Sequence, residues 1–138
     1  MKARALLLAC TFVLCRAGSL GAASPSLLLQ VDGRSGTVVT DDPAPRLTWA
    51  PNVALPGLES WRVRVERTDT AGEKREWTIP AAAGPWRVID GAALPSRARF
   101  RWRVEPGFAR GAVAVAAGAE GNFEVGLKTA ADWRAQWI

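Results

Sequence analysis

The residues with the plainest capacity for chemistry are arginines spaced two apart. Arg62 and Arg64 stand in "WRVRVER", and Arg99, Arg101 and Arg103 in "ARFRWRVE". A period of two puts side chains on one face of a β-strand, so each set forms a row of guanidinium groups. Guanidinium forks match carboxylates in planar, two-pronged pairs. Such a face suits an acidic polysaccharide or a partner protein, and the five arginines are the candidate binding residues. The same and flanking strands also carry Glu66, Glu76, Glu105 and Glu124. Opposite charges across neighbouring strands stabilise a wet sheet face by roughly 0.2–1 kcal/mol each, and the sequence favours this plainer reading.

Other chemistries are poorly supplied. The chain has 138 residues and no His. That removes the commonest general acid/base and metal ligand, and any Ser-His-Asp or Cys-His arrangement with it. The 13 carboxylates could in principle furnish a glycosidase pair, which needs two groups about 5–10 Å apart across a cleft. Asp32, Asp41, Asp42, Asp69, Glu73 and Asp90 stand instead at turns or on wet strand faces, and a turn carboxylate usually caps its own backbone. "GRSG" at Gly33–Gly36 is too short for a phosphate-binding loop and precedes no helix. No catalytic residue, cofactor site or metal site is expected.

The elements that position these residues begin after a leader. "MKAR" is a basic start, Ala5–Cys15 is an apolar run of 11 residues, and "RAGSLGAA" supplies small residues for a cut after Ala23. Residues 1–23 therefore read as a secretory signal peptide. The apolar run falls short of the roughly 20 residues a membrane span needs, so no transmembrane segment is expected and the protein is placed as secreted or periplasmic. Cys10 and Cys15 leave with this segment, so the mature chain lacks a thiolate for a zinc site or a disulfide. With Lys2, Arg4 and Arg16 gone, the net charge falls from +5 to +2, which gives no reason to expect nucleic acid as a partner.

From residue 26 to 127 the pattern is short alternating runs between turns. Strands are expected over 26–31, 45–50, 61–67, 74–80, 86–89, 98–105 and 122–127, with the Ala-rich piece 112–119 as a further candidate. Turn signals every 8–12 residues or so indicate an all-β, antiparallel β-sandwich of about seven strands. The expected core is Leu28, Leu47, Trp49, Trp61, Val63, Val65, Phe100, Trp102, Val104, Phe123 and Val125. Trp77 and Trp86 sit near strand ends, where a ring could meet a sugar; packing is favoured for both.

The chain finishes "EVGLKTAADWRAQWI". At a free end, Trp133, Trp137 and Ile138 would expose apolar surface, so they are expected to dock into a following domain, with residues 128–138 as the linker. This stretch is similar to the junction after the N-terminal fibronectin type III-like domain of bacterial α-L-rhamnosidases of glycoside hydrolase family 78. Phe123, Glu124, Gly126, Leu127, Asp132, Trp133, Ala135, Trp137 and Ile138 carry the match, and upstream Pro45, Arg46, Leu47, Trp49, Trp102 and Val104 resemble that domain's strands. The Ala-rich "PGFARGAVAVAAGAEGN" departs from the family in lacking a Trp, and the family's helical catalytic barrel is missing.

The resemblance implies an immunoglobulin/fibronectin type III-like accessory module without catalysis of its own. Its implied partners are the downstream β-sandwich and catalytic domains of a parent enzyme and, in some members, rhamnose-containing glycans. The chain would then be a truncated product. The alternative is a stand-alone periplasmic or cell-surface module that binds carbohydrate or protein through the arginine face or an exposed Trp.

Overall fold

The computed structural model describes residues 24–89, 94–112 and 118–132. The expected signal segment 1–23, residues 113–117 of the Ala-rich piece, and the docking residues Trp133, Trp137 and Ile138 lie outside the described residues. Among the described residues there are eight strands: β1 (Leu27–Val31), β2 (Val38–Thr40), β3 (Arg46–Pro51), β4 (Leu58–Arg67), β5 (Lys74–Pro80), β6 (Trp86–Val88), β7 (Arg99–Phe108) and β8 (Ala119–Val125). They form two sheets, ordered β1-β3-β6 and β2-β8-β7-β4-β5. The only helical pieces among them are single 3-10 turns at Ala81–Ala83 and Ala130–Asp132.

Alternation builds the larger sheet. Along β4, Trp61, Val63 and Val65 are buried while Arg62 and Arg64 are exposed; along β7, Phe100, Trp102 and Val104 are buried between exposed arginines. Leu47 and Trp49 of β3 supply the opposite wall of the core. Trp49 and Trp61 meet edge to face across the sheets, centroids 5.9 Å apart, and Phe100 stacks on Phe123 at 5.1 Å. Such pairs add roughly 0.5–1.5 kcal/mol to the burial of the rings.

One expected core residue is corrected. Leu28 is 54 % exposed, whereas Val31 is buried and Leu27 and Leu29 pack against the core. Three successive leucines carry no phase, so the pairing register with β3 decides which of them faces inward.

The sandwich also differs from an all-antiparallel one. β2 runs parallel to β8, with Val38 opposite Phe123 and Thr40 opposite Val125. With three residues, β2 offers too little alternation to be seen as a strand. β4 and β7 are longer than expected: β7 continues through Pro106 and Gly107, opposite a register shift between Leu58 and Ser60. A bulge of this kind admits a proline. At Gly107 a Cβ would sit 2.5 Å from the Ser60 hydroxyl, so a larger residue there would have to turn that side chain aside.

Turns and edges complete the frame. Asp32 and Gly33, with φ of 50° and 75°, close a two-residue turn in which Val31 and Arg34 exchange backbone hydrogen bonds; positive φ at both positions matches the twist of the flanking strands. At the edge of the smaller sheet, Arg87 points inward and lies 5.0 Å over the Trp77 ring of β5. An inward charge on an edge strand discourages pairing with other chains.

Candidate functional site

The larger sheet brings Arg62, Arg64, Arg99, Arg101 and Arg103 onto one outer face, on the adjacent strands β4 and β7. Arg64 stands directly opposite Arg103, while Arg62 faces Glu105 and Arg101 faces Glu66. Every one of the five reaches a carboxylate. Arg64 is 2.7 Å from Glu76, Arg103 3.1 Å from Glu105, Arg99 3.2 Å from Glu124 and Arg101 3.4 Å from Glu66. Arg62 lies between Glu76 at 3.6 Å and Glu105 at 3.8 Å.

The hydrogen bond from Arg64 holds the Glu76 carboxyl below its ordinary range, and those from Lys74 and Arg101 do the same for Glu66. Exposed pairs contribute about 0.2–1 kcal/mol each. The face is thus a lattice in which each of the five arginines has a glutamate partner, four glutamates serving all five. A ligand carboxylate would compete with those glutamates.

Several other carboxylates also have structural work. Asp69 takes two hydrogen bonds from Arg67, which lower its pKa to about 2. Asp42 caps the Ala44 amide, as a turn acid is expected to do. Asp32 does something longer in range: it accepts from the Thr40 hydroxyl on β2 and from the Arg46 amide on β3 at 2.8 Å. One turn thereby stitches both sheets. Among the described residues, no group of three His, Cys, Asp or Glu side chains could hold a metal ion, and no helix is long and apolar enough to cross a membrane.

The most concentrated polar arrangement lies where the chain leaves β8. A single Asp132 oxygen, Oδ2, accepts from Ser96 Oγ at 2.7 Å, Thr129 N at 2.8 Å, Thr129 Oγ1 at 3.0 Å and Lys128 N at 3.2 Å. These bonds, led by that from Ser96, depress the Asp132 pKa. "TAAD" at 129–132 has the Thr-x-x-acid spacing of a capping box, in which the acid reaches back to the first amide. That spacing was a readable signal; the tie to Ser96, 36 residues away, was not.

The smaller sheet presents a different surface. Arg46 lies 4.6 Å over the ring of Trp86, which is 43 % exposed. Of the two tryptophans near strand ends, Trp77 is packed against the core and Trp86 is outside.

No curated protein matches the chain. Residues 28–129 match the model of the family described as Rha78A-like, N-terminal immunoglobulin domain. The match spans β1 to the start of the Asp132 knot, and the two-sheet architecture agrees with it. The chain belongs to the family of Rha78A-like N-terminal immunoglobulin domains.

Proposed function

We propose that this domain is a non-catalytic accessory module of a secreted α-L-rhamnosidase-like enzyme. It packs against the enzyme's following β-sandwich and catalytic domains and contributes contact with rhamnose-containing glycans. The observation that carries this reading is the family match over residues 28–129, which covers an immunoglobulin domain and no other. The Asp132 knot supports it: four hydrogen bonds onto one oxygen fix the point from which the chain departs, as a module set at a defined angle to a neighbour requires. The ion-paired carboxylates support the lack of catalysis, because an acid held by an arginine is a poor proton donor at neutral pH. Secretion is supported by the pattern of residues 1–23, and Trp133, Trp137 and Ile138 remain the residues proposed to dock.

The test uses the purified chain together with a Rha78A-like enzyme from which the N-terminal immunoglobulin domain has been removed. Added in trans, the chain is expected to raise the enzyme's melting temperature, and alone it should leave an aryl rhamnoside intact. Hydrolysis by the chain itself, or an enzyme indifferent to its addition, refutes the proposal.

A further inference from the structure

The two outer faces of the sandwich are opposites in charge economy. On the larger sheet each of the five arginines is matched by a glutamate. The strands of the smaller sheet, "LLLQV", "RLTWAP" and "WRV", contain no acidic residue. The Arg46 amide donates to the Asp32 carboxylate at the end of β1, but its guanidinium pairs with no carboxylate among the described residues and lies over the Trp86 ring instead. A guanidinium laid over an aromatic ring keeps its N–H edge free, and that edge is the part that grips a carboxylate with two parallel bonds. Among the described residues, the Arg46 guanidinium is therefore a cation held in place without an acid of its own.

Its neighbours narrow the class of acid. Gln30, Thr48 and Trp86 form one row across the three strands, and Arg46 with Val88 forms the next. An amide and a hydroxyl thus stand beside an exposed indole on a flat face, flanked by exposed Val88 and Leu28. The patch is about 10 Å across, at roughly 4.8 Å per strand, and about 13 Å long, at roughly 3.3 Å per residue. A stable protein–protein interface needs about 800 Å² and some 20–30 residues a side. This face is far too small for that, yet it suits a short run of pyranose rings whose hydroxyls meet polar groups and whose C–H faces meet apolar ones.

We infer that the outer face of β1-β3-β6 binds an oligosaccharide bearing carboxylates, a hexuronate, with Arg46 receiving the acid and Trp86 packing beside the sugar. This deepens the glycan contact proposed above by naming a site and a ligand class, and it is independent of the packing role.

The experiment titrates the chain with a galacturonate oligomer, its methyl ester and a neutral rhamnose oligosaccharide, read by tryptophan fluorescence and calorimetry. The acid form should bind about two- to fivefold tighter than the ester, because the ester cannot form the ion pair with the exposed Arg46 guanidinium. Arg46→Gln should erase that preference, Trp86→Ala should remove the fluorescence change, and Arg101→Gln on the other face should alter neither. Both substituted side chains of the site are exposed, and unchanged circular dichroism melts confirm that the variants fold. If Trp86→Ala does not fold, Arg46→Gln decides alone. Absence of saturable binding at millimolar acid overturns the inference. So does equal binding of the ester, or equal damage from Arg101→Gln. Binding of the neutral rhamnose oligosaccharide alone overturns this inference while leaving the glycan contact of the accessory reading intact.

Discussion

Replacing Asp32 tests whether a turn residue holds the two sheets together. Its carboxylate accepts from the hydroxyl of Thr40, a residue 1 % exposed, and from the Arg46 amide at 2.8 Å. Asp32→Ala deletes both bonds and leaves a buried hydroxyl with less to satisfy it. Hydrogen bonds to a charged group contribute about 1.5–3 kcal/mol each. Asp32 also sits at φ 50°, a conformation that aspartate tolerates better than alanine. The expected loss is about 3 kcal/mol or more, a large share of the roughly 5–15 kcal/mol typical of a domain.

Asp32→Asn should be far milder. Its carbonyl oxygen can still accept from Arg46, its amide can donate to Thr40 Oγ1, and Asn tolerates positive φ. Urea unfolding followed by tryptophan fluorescence measures both variants. An alanine variant within about 1 kcal/mol of the parent, or an Asn variant that falls as far as the alanine, refutes the reasoning.

Three further expectations follow from the same structure. The Asp69 pKa is lowered to about 2 from an ordinary 3.8, so its contribution to stability is complete above the ordinary value and is lost as pH falls towards 2; Arg67→Gln should return the Asp69 titration, followed by NMR, to the ordinary range. Glu76→Gln removes the partner of Arg64 and one partner of Arg62, yet urea unfolding should show a loss below about 1 kcal/mol because the pairs are exposed. Gly121→Ala would place a Cβ 2.8 Å from the indole nitrogen of buried Trp102, and should cost about 1–3 kcal/mol. Gly126→Ala meets only the exposed Asp41 carboxylate, which can swing away, so its melting temperature should fall much less than that of Gly121→Ala.

How far the sequence could be read depended on how many residues each feature had to declare itself. β4 and β7 alternate over enough positions that their buried faces were plain, and ten of the eleven expected core residues are buried. Leu28 failed because "LLL" has no phase, and β2 escaped notice because three residues hold a single alternation. The arginine face was anticipated together with its glutamates. Which acid serves which arginine was not, since Arg64 faces Arg103 in the ladder and turns to Glu76 instead. Asp32 looked like an acid capping its own turn. Its real partners lie 8 and 14 residues on and depend on how the turn folds over the second sheet. The exposure of Trp86 follows from β6 being an edge strand with Arg87 turned inward, which only the register with β3 reveals.

The knot at Asp132 has a mechanical meaning. Ser96 lies three residues before the start of β7, one of the two longest strands of the larger sheet. The bonds onto Asp132 therefore anchor residues 128–132 at the root of that strand, so the position of this segment is set by the larger sheet and not by β8 alone.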